Sequence, residues 1–135
     1  EKLSWLPWSQ SAHIYGPMWK KKLFMKDYKV FLRHISDEIE FIMNQSRDLT
    51  YELLLEDETL KRAFVRSIEI IGEASKHIPD KVKAHHLDIE WKRIAGTRDV
   101  LIHKYFEIDY EILWDIVKNK LPPLRIKMKQ ILDEE

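Results

Sequence analysis

The stretch richest in reactive side chains is Gly96-Thr97-Arg98-Asp99-Val100-Leu101-Ile102-His103-Lys104-Tyr105. Arginine is a permanent planar cation, histidine changes charge near neutrality, and tyrosine carries a phenol. That set suits work on a phosphate ester. An imidazole can carry a proton to or from a hydroxyl, and a guanidinium can hold charge developing on phosphoryl oxygens. If the stretch is one straight helix, about 100° per residue puts Arg98 and Tyr105 on nearly one face and His103 about 140° from Arg98. Asp99 and His103 are then one helical turn apart, close enough for the carboxylate to orient the ring. Bringing Arg98 and His103 to one point takes the reach of the arginine, a bent helix, or a second copy of the helix across a dimer. The plainer reading is a half-buried histidine bonded to Asp99 and an arginine in a surface ion pair.

Other polar groupings are weaker. Glu69, Glu73 and His77 recur at four-residue steps along one helix face. Di-iron bundle sites take a glutamate and a histidine three apart, from two helices, so the spacing argues against a metal here. His85-His86 lacks the context of a zinc motif and reads as solvent-exposed. His34 reads as a surface charge pairing with Asp37 and Glu38. Lys118, Lys120, Arg125, Lys127 and Lys129 form a basic run without acids. It is either a track for a nucleic-acid backbone, with Lys118 and Lys120 beside Lys104 as phosphate contacts, or a solvated helix face. Glu52, Glu56, Asp57 and Glu58 make an acidic patch that could meet a basic partner, although a solvated loop explains it as well.

The rest of the chain has to position these groups. With 135 residues, 44% apolar and 34% charged, it is long enough for one domain with its own core. No cysteine is present, which removes disulfides, thiolate metal sites and cysteine nucleophiles, and is compatible with a cytoplasmic setting. The 23 basic and 23 acidic residues balance, so bulk charge alone does not hold nucleic acid. No apolar run approaches the roughly 18 residues of a membrane span.

Residues 1–24 show no helical period. They hold Trp5, Trp8 and Trp19 and the run Lys20-Lys21-Lys22. They read as an aromatic, basic extension, either upstream sequence or an arm packing on a partner subunit. Residues 25–135 read as the folded domain. From Lys26 onward the period is that of helices. Tyr28, Phe31, Leu32, Ile35, Ile39 and Ile42 form one apolar face. Leu49 to Leu55 makes a short helix. Asp57 or Thr59 caps a long one reaching about His77, where Gly72, Ala74 and Ser75 let another helix approach. Pro79 ends it, and residues 80–88 form a connector. A fourth helix is expected from Trp91 to Tyr105 and a fifth from Asp109. Pro122 and Pro123 interrupt the fifth, and a last helix runs from Leu124 to Leu132. The expected architecture is all-α, an up-and-down bundle of five or six helices.

Arg98, four residues, His103, one residue, Tyr105 resembles the R-x4-H-x-Y signature of the HepT-like toxins in the HEPN superfamily. Asp27-Tyr28, LLLEDETLKRAFVRSIEIIGEASKHIP, IEWKRIAGTRDVLIHKYF and DYEILWDIVKNKLPPL agree in order, so the resemblance covers about residues 26–132. It implies a helical bundle that forms a two-fold homodimer with the motif helices facing across a cleft. It implies a metal-independent endoribonuclease with no cofactor, the toxin of a type VII toxin–antitoxin pair. Arg98 and His103 become the active-site pair, with Asp99 assisting. Tyr105 becomes the residue to which a partner, a minimal nucleotidyltransferase antitoxin, transfers AMP. The rival expectation is a helical interaction module that docks such a nucleotidyltransferase without cutting RNA.

Overall fold

The computed structural model describes residues 28–103 and 107–134. The aromatic extension, Lys104 and Tyr105 therefore lie outside the described residues. The first helix, α1 (Tyr28–Gln45), turns Leu32, Ile35, Ile39 and Ile42 fully inward, the face that the periodicity predicts. Thr50 then caps the short α2 (Tyr51–Glu56), its Oγ1 accepting the Leu53 N–H at 3.2 Å. Asp57 closes α2 and opens α3 (Glu58–Lys76), where its carboxylate accepts the Leu60 N–H at 2.9 Å. Of the two caps expected for the long helix, Asp57 is the one used.

α3 is the hub. Phe64, Ile68, Ile71 and Ala74 are buried along it, and it packs on α1, on α2 and on two short helices later in the chain. Phe31 near the start of α1 stacks on His77 at the end of α3, with ring centroids 4.7 Å apart. Phe41 near the end of α1 meets Phe64 edge-on. The two helices therefore run antiparallel. Lys61 buries its stem while its ammonium bonds Glu58 at 2.6 Å and covers the Tyr110 ring. Ser75 is fully buried and harmless there, because its hydroxyl donates to the Gly72 carbonyl at 2.7 Å.

After Pro79 the chain makes α4 (Asp80–Ala84) and a turn tied by the Trp91 indole, which donates to the His86 carbonyl at 3.1 Å. The next segment differs from expectation. Instead of one helix from Trp91 to Tyr105, there are two short ones, α5 (Trp91–Ala95) and α6 (Thr97–Leu101). A two-stranded antiparallel ribbon comes next, β1 (Ile102–His103) and β2 (Glu107–Ile108). Gly96 marks the joint between the helices. Ile102 and Ile108 pair across the ribbon and pack against the core from one side. That apolar pairing holds the chain extended where helix propensity alone continues it.

Asp109 caps α7 (Tyr110–Asp115), as expected. The prolines do not break the final helical rod. A π turn (Ile116–Lys120) leads directly into α8 (Leu121–Glu134), and Pro122 and Pro123 sit in the first turn of α8. A proline ring clashes with the carbonyl four residues back. Opening the turn just ahead, where Leu121 N–H bonds the Ile116 carbonyl five residues back, lets the helix pass through the pair. α8 lies along α1. Arg125 grips Glu40 with both ends of its fork, Nε on Oε1 and Nη2 on Oε2 at 3.2 Å.

This packing makes two outcomes testable. A Cβ at Gly72 meets the Ile94 carbonyl oxygen at 3.2 Å, a contact with backbone rather than a flexible side chain. Gly72→Val should therefore destabilise by about 1–3 kcal/mol in chemical denaturation, because α5 must move away from α3. The Arg125 guanidinium hydrogen-bonded to Glu40 holds that carboxyl below its ordinary range. A lowered carboxylate adds stability above the ordinary range that disappears as pH falls through it. The gap in melting temperature between wild type and Arg125→Met should thus narrow steadily from about pH 6 to about pH 3.

Candidate functional site

The site begins with the contact between α3 and α5. With only a hydrogen at Gly72, the Ile94 and Ala95 carbonyls come down onto α3. This brings the start of α6 beside Glu69, one turn earlier on α3. Arg98 answers with Nε 3.3 Å from Glu69 Oε2. Glu69 is 24% exposed and Arg98 is 63% exposed, so the carboxylate lies at the wall while the guanidinium stands out in solvent. Thr97 ties the helix joint by donating its hydroxyl to the Arg93 carbonyl at 2.8 Å.

At Ile102 the backbone leaves the helix (φ −105°, ψ 113°). The helical-wheel angle of 140° no longer applies, because His103 belongs to the ribbon. Its charged neighbour is not Asp99 but Asp109, whose Oδ2 lies 3.9 Å from His103 Nε2. Asp99 stands exposed on α6 and makes no ion pair with the ring. Asp109 is held in three ways. Its N–H donates to the Leu101 carbonyl at 3.0 Å, its Oδ1 accepts the Ile112 N–H at 3.1 Å, and Oδ2 is left for the imidazole. His103 is 54% exposed, so it is not the half-buried histidine of the plainer reading. Glu107 faces His103 across the ribbon and is exposed.

A groove of about 820 Å³ runs beside the motif. Ile68 and Ile71 of α3, Ile94 and Val100 of α5 and α6, and Ile112, Ile116 and Leu124 of the last rod line it. Its rim carries both signs: Lys92, Arg93, Lys120 and Lys127 against Asp88, Glu90 and Asp115. Val100 is 54% exposed although its neighbours in the groove are apolar.

The basic run is largely engaged within the chain. Lys118 donates to the Ser46 carbonyl at 3.0 Å and covers the Trp114 ring. Arg125 holds Glu40, and Lys127 donates to the Asp88 carbonyl at 2.6 Å. Lys120 and Lys129 are exposed, and Lys120 sits on the groove rim. The Glu69, Glu73 and His77 row does not act together. Glu69 turns to Arg98, Glu73 to Lys76 at 3.0 Å, and His77 stacks on Phe31. The Lys76 ammonium bonded to Glu73 keeps that carboxyl below the usual range. His86 is a correction to the expectation of free exposure: its side chain is only 18% exposed and its Nε2 lies 3.7 Å from Glu134. His85 is exposed as expected. His34 is exposed and lies edge-on to Phe31.

Two carboxylates at the site are not legible as such in the sequence. Asp109 shows there only as a helix cap, and Glu69 only as part of a metal-like row. The one available signal for Asp109 is the alternation Ile102-His103 and Glu107-Ile108 around three residues, a hairpin pattern without glycine, asparagine or proline.

Comparison with known proteins places the chain in a family. Residues 35–131 match the family described as Ribonuclease HepT-like. The chain is 42% identical over 111 residues to "Putative RNase TTE0752" of Caldanaerobacter subterraneus subsp. tengcongensis, which covers 82% of this chain and 99% of that protein. It is 40% identical over 106 residues to "Probable ribonuclease HepT" of Thermococcus cleftensis, covering 78% of this chain and 96% of that protein. It is also 42% identical over 97 residues to "Putative RNase MJ0127" of Methanocaldococcus jannaschii, covering 72% and 80% of the two. No solved structure matches. The match takes in α3, both short helices, the ribbon and the last rod, and on that span the chain belongs to the HepT-like ribonuclease family.

Proposed function

We propose that the chain is the toxin half of a toxin–antitoxin pair, an endoribonuclease that cuts RNA without a metal and is silenced when AMP is transferred to Tyr105. The observation that carries this reading is the pair of exposed side chains, Arg98 and His103, each backed by a carboxylate. A docking module has no use for a solvent-facing imidazole set against an anchored carboxylate.

The chemistry is transesterification. His103 takes the proton of a ribose 2′-hydroxyl, and the oxygen attacks the adjacent phosphorus in line. Arg98 stabilises charge on the non-bridging oxygens. The bond from phosphorus to the 5′-oxygen breaks, a second proton carrier protonates that oxygen, and a 2′,3′-cyclic phosphate and a free 5′-hydroxyl result. The nucleophile comes from the RNA, so the step asks for no metal-bound water. In-line attack needs a backbone free to rotate, which favours single-stranded or looped RNA over a paired helix.

The second proton carrier is His103 of another copy. A two-fold dimer seated on the apolar groove would place α6 of each copy beside the other, because Val100 and Thr97 belong both to the motif helix and to the groove wall. Exposed Val100 and the isoleucines behind it are apolar surface that a second copy would cover. Tyr105 lies two residues after His103 in sequence. An AMP there would add a phosphate and a nucleoside two residues from His103 in the chain, which would oppose RNA by charge and by volume.

His103→Ala should lower ribonuclease turnover by about 10²–10⁴-fold with the fold intact by circular dichroism. The wild-type rate should persist in excess chelator. Full activity in a clean His103→Ala preparation would overturn the mechanism. Protein co-expressed with a neighbouring nucleotidyltransferase should gain an AMP-sized mass that Tyr105→Phe abolishes, and unchanged intact mass would remove the silencing role.

A further inference from the structure

The two carboxylates that face Arg98 and His103 each approach one particular nitrogen, and those choices fix which edge of each side chain is free. We propose that Glu69 and Asp109 are positioning residues that hold the pair by Arg98 Nε and His103 Nε2, so that the terminal Nη groups of Arg98 and Nδ1 of His103 are the edges presented to RNA. The inference rests on the ribonuclease reading for its use, and on geometry alone for its existence.

A neutral imidazole has one N–H and one lone pair, and the partner of one nitrogen decides where the proton sits. Asp109 lies on the Nε2 side. A carboxylate accepts only, so an imidazole that bonds Asp109 does so with its hydrogen on Nε2, which leaves Nδ1 the lone pair that a general base needs. At 3.9 Å the two groups are close neighbours rather than partners in a formed hydrogen bond. Contacts of this kind tighten when substrate binds. Asp109 is well placed to wait, since the Ile112 N–H and the Leu101 carbonyl fix its backbone and its other oxygen. The other carboxylates nearby are not placed for this. Glu107 and Asp99 are exposed, and neither pairs with the ring.

Arg98 obeys the same logic. Glu69 meets Nε, the inner nitrogen, at 3.3 Å. Glu69 sits on α3 one turn before Gly72, where the Ile94 carbonyl closes onto the helix. The pairing leaves both terminal nitrogens for two parallel bonds to a phosphate. Neither positioning residue belongs to the R-x4-H-x-Y signature. One comes from another helix and the other from beyond the ribbon.

The test uses the full chain with Asp109→Asn, Glu69→Ala and Glu69→Gln. Asparagine caps helices as well as aspartate, so its oxygen keeps the Ile112 N–H and the melting temperature should not change. Its NH2 then points at the ring and donates to Nε2, which moves the ring hydrogen to Nδ1. Nitrogen-15 spectra of the histidine rings, with His103 assigned from His103→Ala, should show Nε2–H in wild type and Nδ1–H in Asp109→Asn, with the other histidines unmoved. On single-stranded RNA, Asp109→Asn should lower kcat about 10- to 100-fold with KM within about 2-fold, the pattern of a lost transition-state interaction. Glu69→Ala should lower kcat about 10-fold, and Glu69→Gln, whose amide oxygen can accept from Nε, should restore most of it. A wild-type ring protonated at Nδ1, unchanged kcat in Asp109→Asn, or losses that track lowered melting temperatures would overturn the proposal. A wild-type chain that cuts no RNA, yet whose His103 ring signals respond to Asp109→Asn, upholds the positioning geometry and overturns the ribonuclease reading.

Discussion

The backbone contact at Gly72 governs where the elements of the site lie. Helices normally keep their axes 8–10 Å apart because side chains stand between them. Here the carbonyls of Ile94 and Ala95 reach the surface of α3 itself. That closeness sets where α6 begins, and α6 sets where Arg98 meets Glu69. The end of α6 then sets where the ribbon starts. A small displacement at the contact moves every later element of the site, because α5 and α6 are each only five residues long and have no core of their own.

The site also depends on how Asp109 divides its two oxygens. One oxygen completes a helix start and the other faces the imidazole. A helix start and the surroundings of the imidazole thus share a single carboxylate. The same economy appears at Lys118, which supports the Ser46 carbonyl and the Trp114 ring in a stretch that reads in sequence as a charged face. Arg125 is similar, committed to Glu40 on α1.

Much of this is legible in the sequence. The inner face of α1, the Asp57 cap, the close approach at Gly72, the stop at Pro79 and the Asp109 cap all come from local rules, and the structure has each of them. Two features of the fold are not legible. Local rules carry the Trp91–Tyr105 helix onward, because nothing in Ile102-His103 breaks a helix locally. The pairing of Ile102 with Ile108 over the core, a tertiary effect, overrides that preference. The same rules break the last helix at the proline pair, and a π turn absorbs it instead. At the site, Arg98 and His103 stand out by residue type. Their carboxylate neighbours do not, because Glu69 comes from a different helix and Asp109 only comes near through the ribbon.

The engaged lysines and arginines have a consequence for how any polyanion is held. Attraction to nucleic acid draws most of its strength from releasing condensed small cations, one for each phosphate neutralised. On this chain Arg98, Lys118, Arg125 and Lys127 already rest against carboxylates or carbonyl oxygens of their own molecule. Few ions are set free at these four groups, so their share of any such attraction depends only shallowly on ionic strength. Any stronger attraction has to come from other exposed cations, Lys120 on the groove rim among them.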